Sequence, residues 1–284
     1  MRSACVRLAA SMVGGALLSW GCASSPEVAA GRRIAEGDSY LSAGRYRAAA
    51  IEYRNAVKDW PQGIEGYLKL GDAQQASDRP ADAYRTFTKA IAVAPDDARP
   101  RVAAGRLLLA ASRLAEARAQ AEAALDCAPG DVPATVLLGI TLTRAGEWQR
   151  AGNLLRSAVS SEPGSVQGRL ALADLMIAQG ALDDAEAQLR AAVQARPGDE
   201  LANRAMAALL LSLSRSDEAE AFLKIAAGAT GQRYRSSLAL ADFYIARGRA
   251  ADASAALDGT PAESARQPAT ARAVEARRQA LSVY

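Results

Sequence analysis

Histidine is absent from this 284-residue chain, and aromatic side chains make up only 5% of it. Lack of imidazole removes the commonest general base, the usual Ser/His/acid and Cys/His constellations, and every His-containing zinc site. Cysteine is nearly as scarce, and two of the three, Cys5 and Cys22, lie close to the amino terminus. Cys127 alone remains in the body, so neither an internal disulfide framework nor a Cys-rich metal site can be built there. It follows an apolar helical stretch and reads as a small buried hydrophobe rather than a reactive thiol. A strong charge bias is also missing, with 34 Lys and Arg mixed among 31 Asp and Glu, so nothing points to nucleic acid. Nowhere does a glycine-rich run lead into Lys followed by Ser or Thr, which excludes that kind of phosphate-binding loop. The acid pairs Asp96/Asp97 and Asp183/Asp184 fall at junctions and turns, where helix capping explains them. The expectation is a chain with no catalytic residues, no metal and no cofactor.

Half of the residues are apolar and 23% are charged, the profile of a folded protein. Much of the apolar share is alanine, which has the best helix propensity and lets helix backbones approach closely, so an all-α fold is expected.

The first 21 residues read as a signal peptide: Arg2 and Arg7 give a positive start, and Leu8 to Trp20 is uncharged and mostly apolar. The stretch is shorter than the roughly 20 apolar residues that a membrane span needs. Without Arg2 and Arg7, Lys and Arg fall from 34 to 32 against 31 acids, a net charge of about +1. The run Leu17-Leu18-Ser19-Trp20-Gly21-Cys22 resembles a bacterial lipoprotein signal, although Ser19 and Trp20 stand where Leu and a small residue are usual. That resemblance implies cleavage before Cys22, its acylation, and a membrane anchor, since each buried CH₂ contributes about 0.8 kcal/mol and several chains act together. Ala23 behind the cysteine resembles outer-membrane sorting. Ordinary cleavage after Ala23 is the rival, and either route exports the chain. Residues 22–29 read as a tether.

Self-similarity organises the rest. Stepping by 34 from Gly37 gives Gly71, Gly105, Gly139, Ala173, Ala207 and Ala241; from Ala49 it gives alanine at 83, 117, 151, 185, 219 and 253. Ala56, Ala90, Ala124, Ala158, Ala192 and Ala226 form another column, as do Pro61, Pro95, Pro129, Pro163 and Pro197. A fixed period of this length marks a repeat architecture. The small column lets the paired helix cross closely, with Gly71 expected to face Ala83. Gly44, Gly146, Gly180 and Gly248 suit left-handed turns between helices, and the prolines suit the start of the next helix.

These columns resemble the tetratricopeptide repeat (TPR) family, whose aromatic positions are partly kept as Tyr40, Tyr46, Tyr53, Tyr67, Phe87, Trp148 and Tyr244. The resemblance implies an all-α, right-handed superhelical solenoid of about seven helix-turn-helix repeats over residues 30–261, with residues 262–284 as a capping helix. In that family the first helices line a concave groove. Carried over, one row is Ile34, Leu68, Val102, Val136, Leu170, Arg204 and Leu238, and a second is Leu41, Gln75, Leu109, Thr143, Ile177, Leu211 and Ile245. Between them run Asp38, Asp72, Arg106, Ile140, Asp174, Ala208 and Asp242. The candidate partner-binding residues are therefore Leu68, Asp72, Val102, Arg106, Val136, Leu170, Asp174 and Ile177. The alternative is that the aliphatic residues are core and the aspartates merely solvated. Acids prevail along the midline, so a grip on a terminal carboxylate through Lys, Arg and Asn is not expected.

The implied function is a periplasm-facing scaffold for a protein or peptide partner in an envelope, secretion or polysaccharide-export complex; a carbohydrate-polymer-binding module is the alternative. The phrase from Gly37 to Pro61 is similar to the opening of TPR lipoproteins of exosortase and exopolysaccharide systems.

Overall fold

The computed structural model describes residues 25–228, 233–258 and 277, which hold 14 helices and no strand. They come as seven antiparallel pairs: α1 (Pro26–Ser42) with α2 (Tyr46–Asp59), α3 (Ile64–Ala76) with α4 (Pro80–Val93), α5 (Ala98–Ala110) with α6 (Leu114–Cys127), and α7 (Val132–Arg144) with α8 (Trp148–Ser161). Then follow α9 (Val166–Ala178) with α10 (Leu182–Ala195), α11 (Glu200–Ser212) with α12 (Ser216–Gly228), and α13 (Arg233–Ala246) with α14 (Ala250–Asp258). The leader, Cys22 and nearly all of the expected capping helix lie outside the described residues. The tether is shorter than expected, because Ser25 caps α1 by accepting from the Val28 N–H (3.3 Å) and Pro26 starts the helix. Proline tolerates that first position because its missing N–H would have no partner there anyway.

Each repeat is closed by the same local chemistry. Between its two helices the chain turns through a left-handed residue: Gly44, Gly146, Gly180 and Gly248 at φ 72°, 80°, 77° and 69°, but also Asp78, Ser112 and Ser214 at 62°, 59° and 60°. The geometry recurs in all seven repeats even where glycine does not. Pro61, Pro95, Pro129, Pro163 and Pro197 lie between repeats as expected, but each directly follows the C-cap of a second helix instead of opening the next one. A proline there ends the helix, because the residue before it is pushed out of the helical region. The next helix is started two residues later by a separate cap: the side chains of Asp97, Asp131, Ser165 and Asp199 accept from the N–H groups of Arg99, Ala134, Gly168 and Ala202. Side chains six residues past the proline then tie its carbonyl down, through Tyr67 Oη (3.1 Å), Arg101 Nη2 (3.3 Å), Arg169 Nε (2.9 Å) and Asn203 Nδ2 (2.8 Å).

The small column meets a larger residue as well as the alanine column expected. A Cβ built on Gly71 would lie 2.9 Å from Phe87 Cδ1 and closer still to two other ring atoms, so Phe87 is the side chain pressed most closely on that glycine; the alanine column flanks it, with the Ala117 carbonyl oxygen 3.6 Å from a Cβ at Gly105. Gly37 likewise faces Tyr53, and Gly139 faces Leu155, where an added Cβ would be 2.5 Å from Cδ2. Sixteen residues beyond the small column runs a column of buried side chains: Tyr53, Phe87, Ala121, Leu155, Leu189, Leu223 and Leu257, none more than 3% exposed. The two columns are matched in size. Ring partners sit over glycine, and where the glycine becomes Ala173, Ala207 or Ala241 the partner is leucine. Repeats three and four break the match: Gly139 faces Leu155 instead of a ring, and Gly105 lies over Ala121, where Leu137 from the following repeat fills the space, 2.5 Å from a Cβ at 105. Cys127 is half-buried rather than fully buried, with its thiol donating to the Pro95 carbonyl at 3.4 Å.

First helices of successive repeats touch one another directly, as α1 with α3, α5 with α7, α7 with α9 and α9 with α11, whereas second helices make no comparable contact. The stack therefore curves with its first helices inside. At the far end Arg277 Nε donates to Asp242 Oδ1 (2.6 Å) on α13.

Candidate partner-binding groove

Along the inner face the structure separates residues that the sequence places in one stripe. Val102 and Val136 are each 4% exposed and Leu109 is 7% exposed, all in one core cluster between stacked first helices. For them the core alternative holds: a side chain pointing at the neighbouring first helix packs there before it can reach a ligand. Leu68 and Leu170 are half-buried, and Ile177 is exposed. They retain apolar surface on the groove.

The midline aspartates also divide. Asp38 accepts from Tyr53 Oη (2.6 Å) and Lys69 Nζ (2.9 Å). Burial pushes its carboxyl pKa up, but these two hydrogen bonds outweigh that and hold it below the usual value. Asp242 is taken by Arg277. Asp72 and Asp174 have no hydrogen bond or ion pair among the described residues, and for both burial raises the pKa. Lys69 and Arg106 oppose that rise at Asp72, as Arg144 does at Asp174. Both carboxylates remain open to water, so the rise reflects their place on a concave face, where protein on several sides thins the surrounding solvent.

A cavity of about 370 Å³ lies over α3 and α5, with Leu41, Leu68, Val102 and Ala103 as its apolar surface. Its polar lining pairs Glu65, Asp72 and Asp131 with Lys69, Arg99 and Arg106. Of the three cations, Lys69 is engaged by Asp38, and Arg99 by Asp97 (2.7 Å) and Glu65 (3.3 Å). Among the described residues Arg106 has no carboxylate partner in hydrogen-bond range; its Nη2 donates to Gln167 Oε1 on α9 at 2.9 Å, reaching past α7. Burial lowers the Arg106 pKa, and Asp72 and Asp131 oppose the change. The cavity thus brings Leu68, Asp72 and Arg106 together over a floor that the buried Val102 underlies, while Leu170, Asp174 and Ile177 lie farther along the stack and Val136 is core. The midline reading missed Lys69, Arg99 and Glu65. Their signal was the same 34-residue step, with Glu65 and Arg99 one repeat apart and three residues before Leu68 and Val102.

The lining can bury a few aliphatic carbons and satisfy both donors and acceptors, as an extended peptide requires. Among the described residues no group of three or more metal-ligating side chains is assembled, and no helix is long and apolar enough to cross a membrane.

Comparison with known families agrees with this geometry, since models described as tetratricopeptide repeat match residues 34–74, 68–132 and 142–209. The chain is a tetratricopeptide repeat protein. Among solved structures, a thermophilic TPR protein of Thermus thermophilus is 25% identical, with a TM-score of 0.58 over 64% of this chain and 100% of that one. A tetratricopeptide repeat protein of Parabacteroides merdae superposes at a TM-score of 0.57 with 14% identity, covering 88% of this chain and 99% of that one. PilW, a type IV pilus biogenesis factor, gives 0.55 at 22% identity over 69% and 92%. None of the curated proteins matches the chain. The TPR solenoid expected from the sequence is thereby shown.

Proposed function

We propose that this TPR protein is a non-catalytic scaffold that holds a protein or peptide segment in its inner groove. The observation that carries the reading is the cavity over α3 and α5, where apolar surface lies beside open Asp72 and Arg106. An amphipathic segment fits it: aliphatic side chains would cover Leu68 and Ala103, and polar groups would meet Asp72 and Arg106. The leader and Cys22 support export and a lipid anchor, with the scaffold at the outer membrane facing the periplasm and serving an envelope, secretion or polysaccharide-export assembly.

A photo-crosslinking residue placed at Ala103 in membrane preparations should capture a defined partner, whereas one at exposed Ala119 on α6 should not. Leu68→Ser should abolish the Ala103 adduct in a chain that remains helical by circular dichroism. A partner captured from position 119 and not from position 103 would move the site off the groove. Cys22→Ser should release the protein from membranes or block its maturation; retention of the fully processed variant would refute the anchor.

A carbohydrate-polymer-binding module is the second reading. It is favoured by Trp148, an exposed aromatic that stands beside Gln149 and Gln179. Oligosaccharide binding lost in Trp148→Ala and kept in Leu68→Ser would select it.

A further inference from the structure

Neighbouring repeats are joined by side-chain polar links at nearly every seam. Lys69 to Asp38 (2.9 Å) joins the first and second repeats, and Arg99 to Glu65 (3.3 Å) the second and third. Arg118 to Glu147 (2.7 Å) follows, then Arg215 to Glu186 (2.6 Å) and Arg249 to Glu220 (2.8 Å). The last three are one device, a rung between a second helix and the residue 29 positions later that begins the next second helix. Tyr84 and Arg113 make the same rung as a cation–π pair, with the guanidinium 6.0 Å from the ring centre.

The seam between repeats four and five has no such link at bonding distance, only a through-space attraction between Arg144 on α7 and Asp174 on α9. Its rung positions hold Gly152 and Ala181, and among the described residues no side-chain hydrogen bond or ion pair joins α7 or α8 to α9 or α10. A notch of about 490 Å³ opens there, lined by Glu147, Trp148, Gln149 and Arg150 from one repeat and Gln179 from the next. Trp148 is left 43% exposed. What holds the seam is the apolar core, in which Leu142 and Leu155 pack with Leu172 and Leu175. Apolar burial is non-directional, so it permits small rotations that a fixed ion pair resists. On the inner side one link does pass the seam: the Arg106 to Gln167 hydrogen bond, which leaps from repeat three to repeat five.

We infer that the solenoid is two arms, repeats one to four and repeats five to seven, jointed at this seam, and that Arg106 and Gln167 latch the joint across the groove. The joint sets how wide the groove opens. Its bearing on a ligand rests on the groove reading above, but the bending itself needs no ligand.

Distances between spin labels, carried on unnatural amino acids in the full chain, test the joint. Labels at Ile51 and Ile225, both exposed and in opposite arms, should give a broad distribution; labels at Ile51 and Gln149, within one arm, a narrow one. Gly152→Glu with Ala181→Arg copies the Glu186/Arg215 rung, and the atoms nearest a side chain at 152 are the movable Arg156 guanidinium. This pair should narrow the Ile51–Ile225 distribution toward the within-arm width, and Gln167→Ala should broaden it. Gly152→Arg with Ala181→Glu, copying Arg118/Glu147, serves if the first pair does not fold. An Ile51–Ile225 distribution as narrow as the within-arm one, or one unmoved by both the rung and the Gln167 change, would overturn the joint. Loss of the Ala103 adduct with the joint intact would refute only the groove.

Discussion

The matched columns of small and large residues make a quantitative test in repeat two. Gly71→Ala places a Cβ within 3 Å of the Phe87 ring, where carbon atoms normally keep about 3.5–4.0 Å. Phe87 is 0% exposed, so the ring cannot swing into solvent and the helices must part. Overpacking of this kind costs about 1–3 kcal/mol, against which the better helix propensity of alanine returns about 1 kcal/mol. A net loss of up to about 2 kcal/mol is expected. Phe87→Leu alone removes ring carbons over an unfilled glycine and costs about 1–2 kcal/mol. Combined, the two changes rebuild the Ala/Leu pairing that repeats five to seven use, so the losses should fail to add by about 1 kcal/mol or more. Urea denaturation followed by circular dichroism measures all four corners of the cycle. Gly31→Ala, on α1 with nothing within 4 Å of the new Cβ, is the control and should stabilise. Losses that add to within about 0.5 kcal/mol would show that residues 71 and 87 do not share one packing site.

Ala151→Leu should cost about 1–3 kcal/mol because residue 151 is 0% exposed, whereas Leu at exposed Gln149 should stay within about 0.5 kcal/mol; equal shifts in denaturation midpoint would refute the assigned register. Ser112→Gly should stabilise by up to about 1 kcal/mol and Gly146→Ala should destabilise by about 1–2 kcal/mol, since both positions are left-handed; thermal melts decide the signs. Asp38, whose pKa is held down, contributes stability that is present above the usual carboxylate range and lost as the pH falls through its folded value. Asp72, whose pKa is raised, behaves oppositely: it favours the folded chain at low pH, and that contribution fades as the pH rises. Asp38→Asn should therefore flatten the acid limb of the stability curve and Asp72→Asn steepen it, as urea midpoints from about pH 3 to 7 will report. Asp72→Asn should also slow association with the captured partner and weaken its salt dependence, as stopped-flow kinetics would show.

The repeat was legible because its strongest constraints are steric and recur every 34 residues. Gly71, Ala83 and Pro95 admit few substitutes, so their columns survive in a single sequence. The facing column was harder to read, because Tyr53, Phe87, Ala121 and Leu155 share a place without sharing a type; what is kept is their burial. The left-handed turns at Asp78, Ser112 and Ser214 were hidden for a related reason, since the backbone geometry persists after glycine is lost. Groove residues were legible only by side. Whether Val102 is wall or core depends on the curvature of the stack, which spacing along the chain does not contain. Lys69 and Arg99 reach the cavity from flanking positions by virtue of their length, and long side chains blur any stripe drawn from helical geometry.

The rungs 29 residues apart have a consequence for how such a chain avoids assembling itself wrongly. Successive repeats share a shape, so during folding a helix pair can dock on another pair's neighbour, a hazard of repeat proteins in general. The rungs are not alike: Arg118 seeks an acid, while Glu186 and Glu220 seek arginine. Docking the seventh repeat directly onto the third would set Arg249 against Arg118, and docking the fourth onto the sixth would set Glu147 against Glu220. The reversed polarity of a single rung thus marks the junction of repeats three and four, where the order of the stack is written in charge and not only in shape.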